Sequence, residues 1–159
     1  MNPSTEATRI LHCDLPQWFA THKRDLPMRA ADVSDWGTLV FEIMSQQTPI
    51  ARVQPIWLEW MERWPTPADV AAASSADIIV AWANLGYPSR ALRLKACAAT
   101  IVDKHDGEVP LSLKELILLP GVGTYTASAL LAFRHAIRVP VLDTNLRRAT
   151  VRLLDRNEV

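Results

Sequence analysis

Two acidic residues lie in apolar surroundings where a carboxyl group can take part in chemistry. Glu42 stands inside the stretch FEIMSQQT (Phe41–Thr48), on the same side of a helix as Gln46 one turn later. Removal from water would raise the pKa of its carboxyl group towards that of a usable proton donor. Asp143 follows the apolar run VPVL and precedes a helix that contains Asn145. The alternatives are a partly exposed surface acid for Glu42 and a plain N-cap for Asp143.

The stretch LILLPGVGTYTASALLAF (Leu116–Phe133) places a Pro-Gly-Val-Gly turn between two apolar segments. It is not a dinucleotide-binding fingerprint, because no strand precedes the first glycine and no third glycine follows at the required spacing. One interpretation is a tight turn between helices in which Gly121 and Gly123 have positive φ. The other is that the glycines let the backbone approach a phosphate, which the first N–H groups of the next helix would bind. Two carboxylates and such a hairpin together are more specific than any one of them alone.

The elements that must position these groups are helices. From Trp36 to Met44, apolar residues recur with the spacing of a helix that buries one face. The clearest candidate strand, Val139–Leu142, is short and contains a proline. The sequence therefore predicts an all-α chain of about eight to ten short helices with ordinary connections. Helix starts are predicted from capping residues at Asp35, Thr48–Pro49, Thr66–Pro67, Ser112 and Thr124.

The composition is that of a globular chain and constrains function only weakly. Of 159 residues, 49% are hydrophobic and 21% are charged, and the net charge is zero. From Gly121 onward six arginines stand against three acidic residues, an excess that is also typical of a solvated helix face. No apolar run approaches the roughly 18 residues of a membrane span, and the N-terminal segment does not resemble a secretory signal. We therefore expect no membrane partner and a cytoplasmic location.

Four stretches, in this order and spacing, resemble the helix-hairpin-helix DNA glycosylases: EIMSQQT, LGYPSRA, LPGVGTYTASA and VLDTNLRR. The similarity runs from about Leu26 to about Leu154, and Glu42 is typical of the adenine-specific branch. The resemblance implies a six-helix barrel domain at 26–138 with its helix-hairpin-helix at 112–134. It also implies an N-terminal helical segment at 1–25 and the first helix of a second domain at 139–159.

The implied reaction is the removal of adenine mispaired with 8-oxoguanine or guanine in double-stranded DNA. The N-glycosidic bond would be hydrolysed as a step of base excision repair, by a monomeric enzyme at the bacterial nucleoid. The enzyme would be monofunctional, because Tyr125 stands where bifunctional members carry a lysine nucleophile. Glu42 would protonate the adenine, and Asp143 would stabilise the positive charge on the sugar. Tyr125 and Asn145 would orient Asp143 and the sugar by hydrogen bonds.

The resemblance also implies a set of DNA contacts. Tyr87 would lie beside the mispaired purine, although a half-buried core tyrosine is the alternative. Gln46 would lie near the gap left by the extruded base. The full set implied to contact DNA is Gln46, Gln47, Tyr87, Gly121, Val122, Gly123 and Thr124.

The chain departs from the family pattern in ways that bear on these expectations. Pro88 replaces a second aromatic residue, and Met28 replaces the tryptophan of the usual LPWR. Members of the adenine branch carry four closely spaced cysteines that bind a 4Fe–4S cluster, followed by a domain that recognises 8-oxoguanine. Cys13 and Cys97 lack metal-ligand spacing, so we expect reduced thiols and no metal or cofactor in this chain, and a cluster only in a longer family-like product.

Two rival functions remain open at this point. One is a thymine glycosylase that acts on G·T mismatches and shares the hairpin, the tyrosine and the aspartate. Glu42 argues against that function. The other is a DNA-binding fragment that uses the hairpin with weak catalysis or none.

Overall fold

The computed structural model describes residues 7–154, and this part of the chain is helical with no strand. The prediction of an all-α chain is confirmed. Short connecting turns are a π-helical turn at Ile10–Asp14 and 3₁₀ turns at Pro27–Arg29 and Ala83–Leu85. The α-helices that lie wholly within the described residues are α1 (Leu15–His22), α2 (Asp35–Met44), α3 (Ile50–Arg63), α4 (Pro67–Ala72), α5 (Ser75–Trp82), α6 (Ser89–Lys104), α7 (Leu113–Leu116), α8 (Thr124–His135) and α9 (Thr144–Leu154).

The chain divides into two compact units. One contains α1 and α9, from residues 7–26 and 142–154, and the other is Pro27–Val141 with helices α2 to α8. In the smaller unit the π-helical turn packs against α1, and Trp18 stacks on His22 with ring centroids 4.7 Å apart. Within the described residues, every helix is too short or too polar to cross a membrane.

The capping residues predicted from the sequence lie within one residue of the observed N-caps of their helices. Thr66 is the N-cap of α4, as predicted, and it forms a capping box with Asp69. The cap of α2 is Ser34, whose hydroxyl accepts a hydrogen bond from Gly37, so the prediction of Asp35 as the cap is wrong by one residue. Asp35 instead occupies the first turn, where its charge suits the positive end of the helix.

Two other predicted caps are wrong for local reasons. Thr48 does not cap α3, because its hydroxyl donates instead to the carbonyls of Gln46 and Leu85, and Pro49 is the residue that precedes the helix. Thr124 is the first residue of α8, and Gly123 is its N-cap. The hairpin turn therefore ends one residue earlier than the sequence suggests.

The core of the larger unit is built around α2. Leu39, Val40 and Met44 on this helix are fully buried, and α8, on which Leu130 and Leu131 are also buried, packs against it. A second cluster joins α3 to α5, where Trp60 packs edge-on against Trp64 and Trp82 with ring centroids 4.9 and 5.7 Å apart. Eight of the ten residues of α2 are buried, so this helix lies inside the unit along most of its length.

Polar contacts fix both ends of α2 against α8, which runs antiparallel to it. At the start of α2, Asp35 Oδ1 lies 2.9 Å from His135 Nε2 and 3.4 Å from Arg134 Nε at the end of α8. At the opposite end, the Gln46 amide donates to Thr126 Oγ1 at 3.3 Å. The sliding of α2 along α8 is therefore opposed at two points.

Leu130→Ala should lower the free energy of unfolding by about 2–5 kcal/mol, because Leu130 is fully buried on α8 and its truncation leaves a cavity in the core. Leu118→Ala is the matched control, since Leu118 is 79% exposed, and it should change that free energy by less than about 0.5 kcal/mol. Urea unfolding followed by circular dichroism measures both. Equal effects of the two substitutions would contradict the packing of α8 on α2.

Candidate functional site

Glu42 lies two residues before the end of α2, between the buried Phe41 and Ile43. Glu42 is partly exposed, which is also what the alternative of a partly exposed surface acid predicts. Burial raises the pKa of Glu42 from 4.5 to about 7, and the positive charge of Arg29 offsets part of that rise. A carboxyl group with this pKa holds a proton in a large fraction of molecules at neutral pH, so it can donate one.

The chain that follows α2 presents two glutamines in different ways. Gln46 is tied to the hairpin through its amide, which donates to Thr126 Oγ1. Gln47 is exposed and has a φ of 56°, in the left-handed region that a side chain seldom adopts. Gln47 is therefore the more accessible of the two for a ligand approaching this end of the helix.

Tyr87 is exposed to 66% and has a φ of 48°. The alternative interpretation of a half-buried core tyrosine is wrong. The residue follows Gly86, whose positive φ of 75° turns the chain outward at this point. Tyr87 and the two glutamines border one open cavity of about 500 Å³. Its other lining residues are Ser89, Arg90 and Arg93.

The hairpin between α7 and α8 is open on its outer side. Gly121 has a φ of 82°, and a Cβ atom there would lie 3.2 Å from Cβ of Arg93, so the position requires glycine. Gly123 has a φ of −89°, so the expectation of positive φ is wrong for this residue. A Cβ atom on Gly123 would have no neighbour within 4 Å.

The backbone N–H groups of the hairpin divide into two sets. The N–H of Val122 donates to the carbonyl of Leu119, and the Val122 side chain is buried beneath the turn. The first helical hydrogen bond of α8 runs from Ala127 to Gly123. The N–H groups of the first turn, which begins at the exposed Thr124, therefore lack acceptors within the helix and present the positive end of its dipole. Such a surface can hold an anion.

Asp143 and Asn145 belong to the smaller unit. The carboxylate of Asp143 accepts a hydrogen bond of 2.6 Å from the N–H of Leu146, so this residue is the N-cap of α9. Asn145 is exposed in the first turn of the same helix. In the larger unit, Tyr125 is 41% exposed in the first turn of α8. This hydrogen bond gives Asp143 a structural role as the N-cap. It engages Oδ1 and leaves Oδ2 of the carboxylate available to a further partner.

Arg90 is a residue of this region that sequence reasoning missed. Its side chain is 8% exposed and donates to five backbone carbonyls and one hydroxyl around the end of α2 and the turn before α6. The sequence did contain a sign of its burial, because Arg90 falls on the same helix face as the buried Leu94, Ala98 and Ile101 of α6. A charged residue at such a position must find partners inside the fold.

The residues of the described chain do not fit an iron–sulfur cluster. Such a cluster needs four thiolate ligands, whereas Cys13 is exposed in the smaller unit and Cys97 is buried in the larger one. Burial raises the pKa of the Cys97 thiol to about 12, which disfavours the thiolate form. Among the described residues, no three His, Cys, Asp or Glu side chains converge in a way that could hold a metal ion.

Two helices joined by an open glycine hairpin are the arrangement that gives the helix-hairpin-helix DNA repair proteins their name. Residues 40–158 match the family model described as HhH-GPD superfamily base excision DNA repair protein. The chain belongs to this family.

Curated relatives and solved structures agree with this placement. The chain is 50% identical over 151 residues to the adenine DNA glycosylase of Mycobacterium tuberculosis, covering 94% of this chain and 50% of the relative. It is 39% identical over 147 residues to the human adenine DNA glycosylase, covering 87% of this chain and 27% of that protein. The chain thus spans about half the length, or less, of these relatives.

Solved structures share the fold of this chain. A thermostable thymine-DNA glycosylase superposes with a TM-score of 0.86 at 23% identity, covering 93% of this chain and 68% of that one. Endonuclease III in a non-covalent complex with DNA superposes with a TM-score of 0.77 at 24% identity, covering 91% of this chain and 67% of that one. At these identities the likeness concerns the fold alone.

The raised pKa of Glu42 should make the free energy of unfolding depend on pH. Because the pKa is about 7 in the folded chain and near 4.5 in the unfolded one, Glu42 lowers the free energy of unfolding as pH rises through this window, by up to about 3 kcal/mol. Glu42→Gln lacks this loss, so the variant should gain stability relative to the parent between pH 4.5 and 8. Urea unfolding across that range measures the gain. Glu62→Gln, at an exposed acid of α3, is the control, and parallel curves for all three proteins would contradict the burial of Glu42.

Proposed function

We propose that this protein removes adenine mispaired with 8-oxoguanine or guanine from double-stranded DNA, by hydrolysis of the N-glycosidic bond. The observation that carries the proposal is the desolvated Glu42, an acid with a pKa of about 7 on a helix that ends beside the hairpin. The names of the relatives, which are adenine DNA glycosylases, support the choice of base. Such an enzyme works in the cytoplasm at the nucleoid, as a monomer.

The chemistry follows from the instability of the bond once adenine carries a proton. The base cannot be reached inside a duplex, so it must be extruded first. Glu42 donates a proton to the extruded adenine, which makes the base a better leaving group. The bond then breaks with positive charge developing on the sugar, and the Asp143 carboxylate stabilises this charge electrostatically. Tyr125 and Asn145 orient the sugar and the carboxylate.

The DNA would be held without reading its sequence. The hairpin Gly121–Thr124 binds a backbone phosphate through N–H groups at the start of α8, where glycine lets the strand come close. Gln47 and Tyr87 project from neighbouring turns and are the exposed groups suited to entering the helix when a base leaves it. Gln46, whose amide is bonded to α8, fixes the hairpin relative to α2.

The substrate is tested by single-turnover base release from a set of duplexes. The proposal predicts release of adenine from A·8-oxoguanine and A·G pairs, and no release of thymine from G·T pairs or of adenine from A·T pairs. Release of thymine from G·T would favour the thymine-specific rival. Specific binding of A·8-oxoguanine duplexes without any release would favour a DNA-binding protein without catalysis.

Gly123→Asp should weaken binding to every duplex by about tenfold at low salt, because it places a negative charge where a phosphate approaches. Gly123→Ala is the matched control, since the space around this position is open, and its Kd should stay within about twofold of the parent. Fluorescence anisotropy with labelled matched and mismatched duplexes measures both. Equal affinities for all three proteins would remove the hairpin from the DNA-binding surface.

Asp143→Asn separates the catalytic role from the cap. Asparagine caps a helix about as well as aspartate, so the melting temperature should hardly change. Loss of the negative charge should slow base release by about 100-fold or more, because that charge acts mainly in the transition state. An unchanged rate of base release together with an unchanged melting temperature would show that Asp143 acts only as a helix cap.

A further inference from the structure

Arg90 is a buried arginine whose hydrogen-bond acceptors, among the described residues, are neutral oxygen atoms. Its guanidinium carbon also lies 5.4 Å from the ring centroid of Trp82 and 5.7 Å from that of Tyr87. One terminal nitrogen, Nη1, donates to the carbonyls of Ile43, Met44 and Gln46 at the end of α2. The other, Nη2, donates to Leu85 and Gly86 at 2.8 and 3.2 Å. The negative end of the α2 dipole contributes to holding this cation in place.

The guanidinium therefore links the chain that follows α2 to the turn before α6, through Gln46 on one side and through Leu85 and Gly86 on the other. We call Ser45–Thr48 the glutamine turn and Leu85–Tyr87 the tyrosine turn. Thr48 reinforces the junction, because its hydroxyl accepts from Arg90 Nη2 at 3.0 Å and donates to the Leu85 carbonyl at 3.2 Å. The indole of Trp82 donates to the Gly86 carbonyl at 2.9 Å and closes the tyrosine turn from the other side.

Each of the two turns carries one exposed residue with a strained backbone. Gln47 has a φ of 56° in the glutamine turn, and Tyr87 has a φ of 48° in the tyrosine turn. Conformations of this kind persist only where the surrounding contacts enforce them. The contacts that do so here converge on the guanidinium of Arg90.

We infer that Arg90 is a positioning residue that couples the glutamine turn to the tyrosine turn, so that Gln47 and Tyr87 act on a duplex at a fixed spacing. The inference rests on the proposed function, because the proposed function is what assigns Gln47 and Tyr87 to base extrusion. A planar fork with two terminal nitrogens can bridge the turns, whereas the single nitrogen of a lysine cannot. The role thus depends on the shape of the guanidinium in addition to its charge.

The test compares Arg90→Lys with the parent and with Arg63→Lys, an exposed arginine paired with Asp77 that serves as control. In Arg90→Lys, amide hydrogen exchange should rise at least about tenfold in both turns together. Extrusion of a mispaired adenine, followed by 2-aminopurine fluorescence beside it, should fall by about tenfold. Affinity for a matched duplex and its salt dependence should not change, because the charge is kept. Arg63→Lys should change none of these quantities.

Each outcome decides between the possibilities. Faster exchange in one turn only, or equally throughout Pro27–Val141 with a lower melting temperature, would overturn the inference. Unchanged extrusion with faster exchange in both turns would also overturn it. If the parent itself extrudes no adenine, the proposed function fails, and the exchange data then decide alone whether Arg90 couples the turns. Should Arg90→Lys not fold, Thr48→Val removes the bridging hydroxyl at similar volume and should give the same pattern at smaller size.

Discussion

The placement of a carboxyl group inside an apolar helix is the constraint on which the rest of the structure depends. A charged Glu42 is costly in this position and a neutral one is not, which is why its pKa rises to about 7. The effect lasts only while water stays out, so α2 must remain packed among the buried side chains of α8 and its neighbours. The same packing that builds the core therefore tunes the acid.

The two ends of α2 are held by contacts of different strength. At its start, the Asp35 pair with His135 and Arg134 is about a quarter exposed, so solvent weakens it and it contributes modestly. At its end, Arg90 donates to the carbonyls of Ile43 and Met44 through buried hydrogen bonds, and losing it would remove this side-chain donor from both groups. The stiffer end is the one that carries Glu42 and leads into the exposed Gln47.

Much of the fold could be predicted because its signals are local. The apolar spacing from Trp36 to Met44 and the N-cap at Thr66 each act within a few residues, and both features are present in the structure. Features that depend on distant contacts could not be predicted. Thr48 fails as a cap because its hydroxyl serves Leu85, and Gln46 meets Arg90 across 44 residues of chain. The exposure of Tyr87 also depends on those contacts, and single-sequence patterns do not record them.

The central proposal is that burial keeps the carboxyl group of Glu42 protonated near neutral pH, so that this group can donate its proton to adenine. The most direct test is the pH dependence of single-turnover adenine release from an A·8-oxoguanine duplex, for the parent and for Glu42→Gln. The account predicts a parent rate that falls as pH rises above about 7, where Glu42 loses its proton, and a variant slower by about 10²–10⁴ without that fall. A parent rate that is level through this range, or a variant within a few-fold of the parent, would contradict it.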